Sequence, residues 1–245
     1  MGNLQWEKFE GLFGDWTNRI KPFFDSGGFD PIYEKLKLSG KMGVKIAPLS
    51  SNVFRAFEEC PFDDLKLVVV GMSPYHTLKQ GNPIADGLAM SCSITNYPQP
   101  TLDQWYYACE KELNEGMCLP CIKNPDLKFL ANQGVLLLNA GLTVEIMKAG
   151  SHNTLWEPFM KYLFEEIINL TGVPVIFLGK EAAQLEQYTA PYIWTFKPTH
   201  PVSATYKGID WDSGGIFKDI NKILWDRNKL KINWFDNPED DEIPF

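Results

Sequence analysis

KLVVVGMSPYH, residues 66–76, is an uninterrupted apolar run that stops at a glycine and gives way to a stiff polar loop. Nothing in Leu67–Val70 alternates with polar residues, so the run reads as a strand buried on both faces. The pattern recurs in VLLLN at 135–139, PVIFLG at 174–179 and YIWTF at 192–196. Helical periodicities lie between these runs. Trp105, Ala108, Cys109 and Leu113 follow Thr101, which with Gln104 has the form of an N-cap and capping box. Trp156, Phe159, Met160, Leu163, Phe164, Ile167 and Ile168 recur at intervals of three and four, and a further helix is expected from about Ile216 to Trp225. Strands alternating with helices predict an α/β chain whose parallel sheet is covered on both faces. Residues 1–60 read as helical and aromatic, broken by DSGGFDP. With no internal repeat or long linker, residues 1–232 are expected to form a single domain, followed by an acidic tail at 233–245.

The composition narrows the function classes. The chain has 245 residues, 44% of them hydrophobic and 13% aromatic, enough to build a sizeable core and to exclude global disorder. No apolar run approaches the roughly 20 residues that cross a bilayer. The N-terminus carries acids where a secretory signal needs a basic start, and Gly2 is only a weak match to an acylation site. A cytoplasmic location without membrane association is expected. The net charge is −8, which argues against a non-specific duplex binder. Asp236, Glu239, Asp240, Asp241 and Glu242 carry 5 of those charges, so the body keeps only −3 and leaves room for a local basic patch. Five cysteines are an odd set for a disulfide-stapled fold. Cys118 and Cys121 form a lone CxxC without nearby histidine, read more simply as unligated thiols in a loop than as a zinc or redox site.

In open parallel sheets chemistry gathers beyond the carboxyl ends of the strands. The segments there are GMSPYH at 71–76, Asn139 with AGLTV, GKEAA at 179–183 and KPTHPVSATYKG at 197–208. His200, flanked by prolines that stiffen its loop, is the sharpest candidate; His152, just before a helix, fits a cap or packing role better. A strand-end histidine and asparagine with a rigid Pro-Tyr-His loop suggest a pocket for a small polar ring. Histidine can donate to a developing oxyanion, and an amide reads one donor and one acceptor together.

These motifs resemble the uracil-DNA glycosylase family, specifically its uracil-excising branch. The likeness runs through NVFRAFEECPFDDLKLVVVGMSPYH at 52–76, GLAMS at 87–91, YPQPTL at 97–102, NQGVLLLNAGLTV at 132–144, GSHNTLWEPF at 150–159 and THPVSATYKG at 199–208. They stand in the family's order and cover roughly residues 45–230. The resemblance implies a three-layer α/β/α domain around a four-stranded parallel sheet. It implies a monomeric enzyme that flips a nucleotide out of DNA and hydrolyses the base–sugar bond without metal or cofactor. On that resemblance Asn139 bonds the Watson–Crick edge of the base, His200 donates to its O2 oxygen, and Tyr75 crowds the pyrimidine C5. Phosphate or groove contacts fall to His76, Thr101, Ser151, His152, Ser203, Ala204 and Thr205.

The departures from the family pattern cluster at the chemistry. Ser73 stands at the position of the family's catalytic aspartate, so it can hold a water but supplies no charge. Met72 replaces a glutamine at the pocket entrance, Met90 a phenylalanine that stacks on the base. Ala204 replaces the leucine that fills the hole left in the duplex, and Val202 removes a hydroxyl. The TLKQGNPIAD segment, 77–86, is longer than the family's spacer and brings in Asp86 as a possible surrogate carboxylate. Two functions therefore compete: a glycosylase for uracil or a modified pyrimidine in single- or double-stranded DNA, and a DNA-binding or protein-interaction module with little catalysis. The C-terminal EDDEIPF resembles the tip of bacterial single-stranded DNA-binding proteins. That implies a docking peptide for replication or repair proteins in a bacterial or phage setting, or a cover for the chain's own DNA groove.

Overall fold

The computed structural model describes residues 4–114 and 121–236. Its strands are β1 (Ile46–Ala47), β2 (Leu67–Gly71), β3 (Leu78–Lys79), β4 (Asn82–Pro83), β5 (Val135–Asn139), β6 (Val144–Glu145), β7 (Val175–Phe177) and β8 (Thr195–Phe196). The four apolar runs form one parallel sheet in the order β5-β2-β7-β8. Every residue of β2 and β5 is buried, the reason neither shows polar alternation. The run at 192–196 contributes only its last two residues as strand, because Ile193 is taken up in a turn with Ala190.

The register positions the site. Leu67 lies opposite Val135 and Gly71 opposite Asn139, so β2 and β5 end level with each other. Backbone bonds continue this line beyond the strands: Ala140 N–H donates to Gly71, Leu178 N–H to Val70, and Gly179 N–H to Pro198. One edge of the sheet thus carries Gly71, Asn139, Gly179 and the approach to His200.

Aromatic packing covers the sheet. Phe13, Trp16, Phe29, Phe54 and Phe57 from the N-terminal helices close onto Phe159, with ring centroids 4.5 Å apart for Phe13–Phe54 and 5.9 Å for Phe57–Phe159. Phe159 belongs to a helix over Asn153–Tyr162 that widens into a π-helical turn at Leu163–Ile168. A second cluster joins Trp105, Phe217 and Trp234, with centroids 4.8 Å and 5.0 Å apart along that chain. Trp234 is fully buried and Phe235 stacks on Tyr106, so the packed body continues through Asp236, past the boundary expected at residue 232. The acidic tip beyond it and Cys118 of the CxxC lie outside the described residues. Cys60, Cys92 and Cys109 are buried free thiols, and burial pushes Cys60 up to about 12.

Two local expectations change. The helix Pro100–Leu113 starts one residue before Thr101, with Gln99 extended at its cap and proline in the first turn. Gln104 closes no capping box; its side-chain oxygen accepts from Trp211 N–H at 2.8 Å. The long 77–86 segment folds into the β3–β4 hairpin, turned by Gln80 and Gly81 at φ 51° and 84°.

Replacing Phe57 with alanine empties the centre of the N-terminal cluster. We expect unfolding free energy to drop by about 3–5 kcal/mol in urea denaturation; a drop below about 1 kcal/mol would show that the cluster is not a packed core.

Candidate active site

Asn139 ends β5, and its amide makes no hydrogen bond to any described residue although the side chain is largely buried. Its position depends on the neighbouring strand. A Cβ on Gly71 would lie 2.7 Å from Asn139 Oδ1, so only glycine at the end of β2 leaves the amide its place.

His200 is seated by the same device. Gly179 adopts φ +82°, and a Cβ there would lie 2.8 Å from the Cβ of His200. The Val202 N–H donates to His200 Nδ1 at 3.2 Å, so Nδ1 keeps its lone pair and the neutral ring carries its proton on Nε2. Burial holds the imidazole well below its ordinary value, at about 4. His200 is therefore a neutral donor, with no described partner for Nε2. Gly179, against which His200 packs, follows β7, two strands from Asn139 at the end of β5.

Tyr75 and Met90 are coupled: the Tyr75 hydroxyl donates to the Met90 carbonyl at 3.1 Å. Burial pushes the phenol far up, so it remains protonated. Met90 sits at φ +65°, a conformation that a side chain other than glycine's adopts only when its surroundings impose it. Asp86 imposes it. Its carboxylate, only 5% exposed, accepts from Leu88 N–H, Ser93 N–H and the Ser91 hydroxyl, and pairs with Arg55 at 3.0 Å. Arg55 is held in turn by Asp126 at 2.9 Å. Four donors use the lone pairs that a carboxylate offers, which makes Asp86 the frame of the 86–93 loop and leaves it unsuited to the surrogate role considered from sequence.

The Ser73 hydroxyl accepts from Gly150 N–H at 3.2 Å, tying the GMSPYH loop to the turn before the Asn153–Tyr162 helix. Its own proton faces only a long contact, 3.5 Å, to the Pro74 carbonyl. Beside it a groove of about 500 Å³ is lined by Met72, Ala140, Gly150, Asn153, Glu157 and Glu181. The two glutamates make this groove a poor track for phosphates.

The remaining candidates divide by exposure. His152 is 1% exposed: Trp156 Nε1 donates to Thr143 Oγ1, which shares a hydrogen bond with His152 Nδ1 at 2.9 Å, so the ring is packed inside. Thr101 is buried beside the Tyr75 hydroxyl. The His76 Nδ1 is sealed off without a partner among the described residues, and Ser203 Oγ donates to the His200 carbonyl. Ser151 is exposed, with its Oγ accepting from Glu145 N–H, and Thr205 is exposed. Ala204 is 3% exposed and faces the protein's own interior, so it presents nothing to a duplex. Gly71 and Gly179 were not among the residues expected at the site. Their signal was the glycine closing two of the apolar runs, KLVVVG and PVIFLG.

The profile of the Uracil DNA glycosylase superfamily matches residues 57–222. A uracil-DNA glycosylase of Pseudomonas aeruginosa (strain UCBPP-PA14) is 32% identical over 228 residues, covering 91% of this chain and 94% of its own. That of Amoebophilus asiaticus (strain 5a2) is 38% identical over 222 residues, covering 87% and 96%. The crystal structure of mimivirus uracil-DNA glycosylase shares the fold, with a TM-score of 0.79 at 21% identity over 94% of this chain and 89% of that one. The chain belongs to the Uracil DNA glycosylase superfamily.

The state of His200 has a pH signature. Above about pH 6.5 the imidazole is neutral whether the chain is folded or unfolded. Below that the unfolded ring takes a proton that the folded ring refuses, so stability falls as pH drops toward about 4, where the folded ring also protonates. Nitrogen NMR should show the Nε2–H tautomer with a midpoint near 4, and His200→Gln should flatten this part of the acid limb in urea titrations. A midpoint near the ordinary histidine value would contradict the geometry.

Proposed function

We propose that this member of the Uracil DNA glycosylase superfamily excises uracil or a modified pyrimidine from DNA by base flipping, slowly for want of a carboxylate at position 73. The observation that carries the reading is the placement of the Asn139 amide and the neutral His200 donor at one end of the sheet, with no described residue bonded to that amide or to the His200 Nε2. A pyrimidine-2,4-dione offers an imide N–H and carbonyl oxygens to such an amide. As the N-glycosidic bond breaks, its electron pair passes to the base and charge grows on O2, where a neutral Nε2–H donor lowers the barrier without first surrendering its proton. Tyr75 and Met90 supply the walls, Tyr75 disfavouring bulk at C5. Water then adds to the sugar carbon, and the proton it loses ends on the departed base or in solvent. Ser73 has one lone pair left to position that water, and contributes no negative charge opposite the cationic sugar.

The full burial of β2 and β5 supports the three-layer architecture that this chemistry accompanies in the family. The tip EDDEIPF would dock replication or repair proteins, a reading that rests on sequence alone. A second reading, DNA binding without excision, is favoured by one feature: the Ser73 hydroxyl is already engaged by the Gly150 amide.

Single-turnover excision assays with uracil-containing oligonucleotides separate the two. We expect slow excision by the wild type, a loss of about 10²–10³-fold in His200→Ala, and a gain of at least about tenfold in Ser73→Asp. DNA binding with no excision by either the wild type or Ser73→Asp would sink the enzyme and leave the binding module.

A further inference from the structure

The groove beside Ser73 touches the site through residues on either side of its functional groups. Met72 precedes Ser73, Ala140 follows Asn139, and Gly150 gives its N–H to the Ser73 hydroxyl; all of them line the groove. The same groove carries two carboxylates, Glu157 and Glu181. Glu157 lies one turn inside the Asn153–Tyr162 helix and is half-buried, with Oε1 accepting from the Tyr188 hydroxyl at 2.8 Å. Glu181 comes from the strand beside β2. The Leu178 N–H donates to Val70, so the chain leaving β7 runs next to the chain leaving β2. Gly179, against which His200 packs, then opens the short helix Gly179–Ala183. Ala182 of this helix is buried, whereas Glu181 is exposed. Among the described residues its carboxylate has only a long hydrogen bond, 3.5 Å from Gln184 Nε2.

A negative charge is missing at position 73, and an uncommitted one stands in the adjoining groove. We propose that Glu181 supplies it, by holding the attacking water together with Ser73 and taking its proton. The inference rests on the reading that the chain excises a base. When the bond from the sugar carbon to the base nitrogen breaks, its electron pair leaves with the base and the sugar becomes cationic. The water oxygen forms the new bond to that carbon. One water proton passes to the Glu181 carboxylate and from there to solvent; the other points at the lone pair that Ser73 has left beside its bond from Gly150. Because Glu181 is exposed, water and salt weaken its attraction for the cationic sugar, and its contribution is on the order of tenfold.

The test measures single-turnover excision from a single-stranded uracil oligonucleotide by the wild type, Glu181→Gln, Ser73→Asp and the double variant. Removing the Glu181 charge should slow the wild-type chain by about tenfold or more. With aspartate at position 73 the same change should cost less than about threefold, because the loop then carries its own charge. Glu181→Asp should keep most of the wild-type rate, and Glu157→Gln should stay within about threefold of it. Equal rates for the wild type and Glu181→Gln would overturn the inference. So would equal losses in the two backgrounds, the signature of a structural role, or a loss in Glu157→Gln as large as that in Glu181→Gln. Excision by Ser73→Asp with none by the wild type would discard the role of Glu181 and keep the excising site. No excision by either would discard both.

Discussion

The Asn139 amide and the Cβ and backbone of His200 sit against residues that carry no side chain. Gly71 ends β2 and Gly179 lies two residues beyond β7; a methyl group on the first would come within 3 Å of Asn139 Oδ1 and on the second within 3 Å of His200 Cβ. The close approach is made possible by the register of the sheet, which levels the ends of β2 and β5, and by the backbone bonds that carry the line on to Pro198. Because the strands are buried on both faces, the edge cannot relax away from a clash without disturbing the core. The site is therefore a property of the sheet's end, and the loops add walls to it.

Those walls have their own frame. Met90 holds a left-handed backbone conformation, and the surrounding loop is locked by one buried carboxylate bound to two amides, a hydroxyl and a guanidinium. Arg55 links this loop to Asp126 and to the short helix over Arg55–Glu59, so the platform on which a base would rest is braced from two directions. The Tyr75–Met90 bond joins the platform to the Pro-Tyr-His loop. Rigidity of this kind suits recognition of one small planar ring.

Much of the fold was legible because it depends on local pattern. Three of the four apolar runs are buried strands and the fourth supplies the half-buried β8, while the helices between them follow their three-and-four spacing. Asn139 and His200 stand out in the sequence for the same reason: the first closes such a run and the second follows another. What escaped depends on partners distant in the chain. Asp86 looks like a solvent-facing loop acid until Arg55, 31 residues earlier, folds against it. His152 looks available until Thr143 and Trp156 close around it. The inward turn of Ala204 follows from the loop's closure by Trp211, which no spacing within HPVSATYKG announces. Proline at position 100 moved the helix start and with it the role of Thr101.

The central claim is that the unpartnered Asn139 amide and the neutral His200 donor form one binding site for a planar base. Titration of the full chain with free uracil, followed by the side-chain amide resonances of Asn139 and the Nε2–H resonance of His200, tests it most directly. Both should shift together and saturate with one binding constant, and thymine should be bound more weakly because its methyl group meets Tyr75. If neither resonance moves, or if each responds with its own affinity, the two residues do not share a ligand and the account of the sheet edge as a base-binding site fails.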